Sequence, residues 1–312
     1  MKSVIFNEII GHQKQISLIE KQLQNDRSPH AFLFYGPVSV GKFTLAKTFA
    51  RSLLCENSSI DNCPSCHSFL NQIHPDYLEM KDDGKIIPIA NIRKLKKELS
   101  FLPSISQKKV VVIEEASNLA IVAQNALLKT LEEPPSYVTL ILVSSRDQLV
   151  PTILSRVLRI NFFPVTQSEA EAAFIKKDFS GKEAKFIAHI CHGQIGKVIG
   201  DPDFKTKWQE SFKLLYDLIN SSLKIKMDYA KNANSENIKF WTLIFRDILL
   251  EKAGPKNDFD YPTLTKKYFH DLLKRYDKRK VYSILKKLQR AEELSKTSVS
   301  KRLLFENLML IL

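Results

Sequence analysis

The chain of 312 residues lacks any apolar run approaching the roughly 20 residues that a membrane-spanning helix needs. Its opening stretch, MKSVIFNEIIGHQ, has neither the apolar centre nor the small-residue cleavage pattern of a secretory leader. The expectation is a cytoplasmic protein with no membrane partner. Cysteine is scarce: four residues, three of them clustered, which suits metal ligation in a reducing compartment better than a disulfide framework. Internal repeats and low-complexity tracts are also missing, so neither a solenoid nor a disordered tail is expected.

What is present is ordinary for a globular protein: 44% hydrophobic and 26% charged residues, in a chain long enough for two or three domains with their own cores. The formal net charge of +13 makes nucleic acid or an acidic partner plausible, although charge alone decides little.

The pattern between Lys109 and Phe163 organises the rest. Val110 to Ile113 is a β-branched run too short for a typical helix, and Glu114 and Glu115 follow where that strand ends. Ala123, Ala126, Leu127, Thr130 and Leu131 mark one face of a helix that Pro134-Pro135 stops. Val138 to Val143 is a second all-apolar strand, and Thr152 to Arg156 reads as a polar turn carrying an arginine. Strands buried on both faces and alternating with helices predict a parallel α/β sheet. Ligands gather at the carboxyl ends of such strands, where Glu114, Glu115 and Ser144-Ser145 would lie.

Upstream, His30 to Tyr35 reads as a strand running into GPVSVGK, with Gly36, Gly41 and Lys42 in G-x-x-x-x-G-K spacing. Glycines let backbone N–H groups wrap a phosphate, the lysine adds a point charge, and the next helix presents its N-terminus. The residue after Lys42 is Phe43, so the hydroxyl that would ligate Mg²⁺ is missing. Thr44 lies about 100° further round the helix and is no simple substitute. At the acidic strand end Glu114 stands where an aspartate normally holds the metal. Two departures at one metal site predict a degenerate nucleotide site, with ATP binding through the loop backbone and Lys42 still possible but weak or absent.

Cys55, Cys63 and Cys66 form C-x7-C-x2-C between a helix and the next strand, a spacing for a closed, structural zinc site. The fourth ligand is open: His67, Asp61 and His74 are all candidates. Ile89 to Leu102 predicts an amphipathic helix whose Arg93, Lys94, Lys96 and Lys97 form a basic face, usually a solvated one, with a phosphate-contacting surface as the alternative. After Phe163 the strands stop. Short helices are expected to Asp203, with Lys197 a candidate nucleotide contact, and helices nearly throughout from Phe204 to Leu312. Phe240, Trp241 and Phe245 read as packing residues. The expected division is 1–164 (with the cysteine-rich insertion at 55–67), 165–203 and 204–312.

These residues resemble the delta-prime subunits of bacterial DNA polymerase III clamp loaders, within the AAA+ proteins. The resemblance rests on ALLKTLEEPP (Ala126 to Pro135), PTILSRV (Pro151 to Val157) and HPDY (His74 to Tyr77). It implies a P-loop-type AAA+ domain, a small helical lid and an all-α collar. The chain would be the rigid member of a five-subunit ring with motor (gamma/tau) and delta subunits, which loads a sliding clamp onto primer-template DNA. Motor subunits carry threonine after the lysine and an aspartate-glutamate pair, so Phe43 and Glu114 speak for delta-prime over the alternative, an active gamma/tau-like ATPase. Arg156 would act in trans as an arginine finger on a neighbour's ATP. The family's zinc module usually has a fourth cysteine where this chain has Ile60.

Overall fold

Short β-branched and aromatic runs become the five strands of one parallel sheet in a computed structural model of the chain, which describes residues 6, 8–24, 29–55, 63–81, 83–254, 261, 263–295 and 299–312. They are β1 (Ala31–Tyr35), β2 (Tyr77–Met80), β3 (Lys109–Ile113), β4 (Val138–Ser144) and β5 (Leu158–Asn161), in the order β2-β3-β4-β1-β5. The register pairs Tyr35 with Ser144 and Ile113 with Leu142, which aligns the carboxyl ends of β1, β3 and β4.

Alternation along each strand builds two cores. Phe32, Phe34, Val110, Val112, Ile141 and Val143 face one layer with α1 (Gln13–Leu23) and α2 (Lys42–Leu54). Leu33, Val111, Ile113, Leu140 and Leu142 face the other, against α4 (Ile89–Leu99), α5 (Ile121–Glu132) and the single turn α6 (Pro151–Leu154). Phe49 of α2 is fully buried against the rings of Phe32 and Phe34. Truncating it to alanine costs about 3–5 kcal/mol. Between α2 and β2 lies α3 (Pro64–Leu70).

Two local expectations are corrected. Helix α4 ends at Leu99, not Leu102: the amides of Ser100 and Phe101 bond back three residues and close the helix, and Pro103 disfavours helical backbone at Leu102. Pro151 opens one helical turn where a polar turn was expected, because its fixed φ suits a first helical position.

The chain forms two compact units, Met1–Ala173 with His192–Gly196, and Phe174–Cys191 with Lys197–Leu312. The remaining helices are α7 (Gln167–Ile175), α8 (Gly181–Ile190), α9 (Gly196–Ile199), α10 (Phe204–Ile219), α11 (Leu223–Lys231), α12 (Glu236–Ala253), α13 (Thr263–Arg275), α14 (Lys278–Leu294) and α15 (Lys301–Met309). Trp208, Phe212, Trp241, Phe245 and Phe305 fill the core of the helical unit, and Trp241 Nε1 donates to the Ser211 carbonyl at 3.1 Å. The parallel sheet and the helical second half are those the sequence called for.

Candidate functional site

Strand β1 ends at Tyr35 and the chain turns at once. Gly36 has φ 154°, and a Cβ there would lie 2.3 Å from the Phe162 carbonyl oxygen, so only glycine fits. Gly41, at φ 101°, ends the loop and α2 begins at Lys42. The Lys42 amine donates to the carbonyls of Gly36 and Pro37 at 2.7 and 2.5 Å, folding back on the loop it is meant to serve. Burial lowers its pKa to about 8 against the opposing pull of Glu115.

Two further groups close on the same loop. His12 Nε2 meets the Val40 carbonyl at 2.7 Å; a carbonyl only accepts, so Nε2 carries the hydrogen. The Gly196 amide donates to the Ser39 carbonyl at 2.8 Å. Beside them Val40, Gly41, Thr44 and Ile195 line a cavity of about 70 Å³. Small-molecule pockets start near ~300 Å³. Sequence reading did not anticipate His12 or the return of residues 192–196 to this loop. Gly11-His12 carried a weak signal, a glycine just ahead of a helical pattern; residues 192–196 carried none, because their contact is made by backbone.

On the acidic side, Glu115 sits in left-handed backbone (φ 47°), a costly conformation for a non-glycine residue. Its Oε1 accepts from the Ser145 amide at 2.9 Å and from the Ser117 hydroxyl, with the Ser144 hydroxyl at 3.5 Å. Burial alone would raise its pKa, yet these hydrogen bonds and Lys42 leave it below the ordinary value. Glu114 is half-buried, its amide bonded to the Met80 carbonyl. Phe43 packs on the core layer beneath the loop, with the Lys47 amine 5.5 Å from its ring centre, and Thr44 is exposed. Gly36, Gly41, Lys42, Glu115 and Ser144 therefore converge at the strand ends.

Arg156 lies elsewhere. It precedes β5 by two residues, at the amino-terminal edge of the sheet, whereas the loop leaves the carboxyl end of β1. The length of a five-residue strand, about 13 Å, separates those edges. Its guanidinium pairs with Glu132 at 2.8 Å and donates to the Thr152 carbonyl at 2.9 Å; Glu132 is exposed and Arg156 half-buried.

The thiols of Cys55, Cys63 and Cys66 lie within 4.8 Å of one another, Cys55 and Cys63 at 3.9 Å. Three thiolates at about 2.3 Å from one tetrahedral ion stand roughly 3.8 Å apart, so the set could hold a metal such as zinc. Burial pushes the Cys66 thiol up to about 12, aided by its thiol neighbours and opposed by Arg51. A bound dication reverses that preference. Of the candidate fourth ligands, Asp61 lies outside the described residues. His67 is exposed and outside the cluster. His74 is engaged otherwise: its Nδ1 accepts from the Asp76 amide, so Nε2 carries the hydrogen it shares with Ser65 and Ser106 at 2.8 and 3.2 Å.

On the surface of α4, Arg93, Lys94 and Lys97 are exposed while Lys96 is half-buried. Burial disfavours the charged form of Lys197, against the attraction of Glu292.

A family model described as "DNA polymerase III, delta subunit" matches residues 11–166. The chain is 26% identical to the DNA polymerase III subunit delta' of Bacillus subtilis over 312 aligned positions, covering 95% of this chain and 94% of that one. It is 37% identical to the delta' subunit of Pseudomonas aeruginosa, covering 41% of each. Against the tau subunit of Bacillus subtilis the identity is 34%, covering 52% of this chain but 29% of that subunit, so the chain spans less than a third of this relative's length.

Proposed function

The chain belongs to the DNA polymerase III delta-subunit family, and from that premise we propose that it works as a delta-prime-type subunit of a clamp loader, in the cytoplasm, in a ring with motor (gamma/tau) and delta subunits that places a sliding clamp on primer-template DNA. One observation carries this reading: the likeness to a delta' subunit extends over nearly the whole of both chains. The likeness to tau stops after half of this one.

In this role the nucleotide site is degenerate. Support comes from Lys42 spending its donors on Gly36 and Pro37, from Phe43 in place of a hydroxyl, and from the small cavity beside Gly41. The loop's own hydrogen bonds compete with a phosphate for the same lysine. Arg156 acts on a neighbouring subunit's ATP. From the amino-terminal edge of the sheet it has no route to its own loop, and its pairing with Glu132 is a surface ion pair worth ~0–1 kcal/mol, cheaply exchanged for a phosphate. At the neighbour's site it would stabilise charge developing on the transferred phosphoryl group, an effect of about 10³ to 10⁵ in rate for arginine fingers. Cys55, Cys63 and Cys66 would hold a zinc ion that ties α2 to α3, with the fourth ligand still to be found; the ion supplies folding energy and no chemistry. The three-domain division at 164 and 203 remains part of the proposal, with the helices after 203 as collar.

The test is DNA-stimulated ATP hydrolysis by a ring reconstituted from one organism, comparing this chain with its Arg156→Ala form. Retained assembly with the loss of a substantial part of the turnover is expected. Unchanged turnover would remove the finger. The specific likeness to tau favours a second reading, an active motor-type ATPase. In that case magnesium-dependent turnover by the ring would fall when Lys42 of this chain is replaced.

A further inference from the structure

Helices α12 and α14 of the helical unit enclose a groove of about 380 Å³ that the clamp-loader reading leaves unused. Its floor is apolar: Leu249, Leu250 and Leu285, with Leu250 44% exposed. Arg246 and Lys286 stand on it from opposite helices, and Tyr282, 52% exposed, forms part of the wall. From Thr242 to Leu250 the groove follows α12 for about 12 Å, two turns of helix.

Among the described residues, neither Arg246 nor Lys286 has an ion-pair partner, and no carboxylate lines the groove. The stretch of α14 from Lys278 to Arg290 carries six cations and no acid. An arginine with five donors and no counter-ion, set over a leucine floor, calls for a ligand that is apolar and anionic at once.

We propose that this groove docks an acidic amphipathic peptide segment of a partner protein, whose large apolar side chains cover Leu249, Leu250 and Leu285 while its carboxylates pair with Arg246 and Lys286. The open, elongated shape fits a helix or strand laid along two helices. A nucleic-acid strand is the weaker fit. It would need aromatic faces for stacking, and the Tyr282 ring already holds the Lys286 amine 4.9 Å from its centre. Phosphates alone would leave the leucine floor uncovered.

The probe is a fluorescein-labelled dodecapeptide of glutamate and leucine with one phenylalanine, its apolar residues at helical spacing. Two controls accompany it: the same peptide with glutamine for glutamate, and a labelled twelve-residue oligothymidine. Binding to the full chain is read by fluorescence anisotropy. The acidic peptide is expected to bind in the micromolar range, at least tenfold more tightly than the glutamine peptide. Affinity should also fall at least tenfold for the Arg246→Glu, Lys286→Glu double variant and for Leu250→Asp. All three residues are exposed, and unchanged circular-dichroism melts identify variants that fold normally. The inference is overturned by equal binding to the charge-reversed chain, by no peptide binding at 100-fold the expected concentration (about 1 mM), or by oligothymidine displacing the peptide.

Discussion

The HPDY stretch owes its form to a buried carboxylate, and Asp76→Asn tests that directly. Asp76 is completely buried. Its Oδ1 accepts from the Ser104 amide at 2.7 Å, and its Oδ2 from the amides of Ile105 and Ser106 at 2.8 and 2.9 Å. Its own carbonyl accepts from the Val110 amide at the start of β3. Burial alone would raise its pKa, but the three amides and His74 leave it below the ordinary carboxylate value. Asparagine keeps the shape and turns one oxygen into a donor. Placed to save the two bonds at Oδ2, its NH₂ meets the Ser104 N–H donor to donor. One charge-assisted bond is lost, about 1.5–3 kcal/mol, and the other two weaken by roughly half. Relief from burying a charge offsets part of this, leaving about 3 kcal/mol. Hydrogen exchange read by mass spectrometry on the segment 104–113 should then speed up about 100-fold, since 1.36 kcal/mol is one decade. The sign of the pH dependence follows from the depressed pKa. The stability this carboxylate contributes is complete above the unfolded value near 3.8 and is lost as pH falls through the lower folded value. The variant lacks that acid-sensitive part. Exchange within threefold of the parent chain would refute the reasoning.

Lys42 gives a pH signature of the same sign in an alkaline window. With its folded pKa near 8 and its unfolded value at 10.5, the unfolded chain binds more protons between them. Stability therefore rises with pH across that window by at most about 1.36 kcal/mol per unit, and the rise should be absent from Lys42→Met in matched urea titrations. Gly36→Ala drives a methyl to 2.3 Å from the Phe162 carbonyl at a left-handed φ, and should cost upwards of about 2 kcal/mol in chemical denaturation; a neutral result would mean the loop relaxes freely. For the thiol cluster, native mass spectrometry of the purified chain should show one zinc per chain, lost in Cys66→Ser together with several degrees of Tm. A chain that melts identically with and without metal would rule out a structural ion.

Much of the architecture was legible because strand burial and helix spacing are local signals. Val110 to Ile113, Val138 to Val143 and the G-x-x-x-x-G-K turn are each written in a few consecutive residues, and each lies where its pattern said. The thiols of Cys55, Cys63 and Cys66 were also readable as a set, because spacing limits what three cysteines can do. Helix α4 ends early for equally local reasons: the amides of Ser100 and Phe101 bond back three residues, and Pro103 keeps Leu102 out of helical backbone.

Tertiary structure decided the states of those residues. Nothing in the spacing says that the Lys42 amine folds back onto Gly36 and Pro37, or that the Gly196 amide returns across the chain to the Ser39 carbonyl. Those are contacts of backbone oxygens, which every residue carries, so no residue type announces them. His74 looked like a metal ligand because histidines often are, and only its burial between Ser65, Ser106 and the Asp76 amide assigns it to the scaffold. Arg156 was singled out by its motif. Its place at the edge of the sheet away from its own phosphate loop follows from strand order, which a sequence with several allowable topologies does not fix by itself.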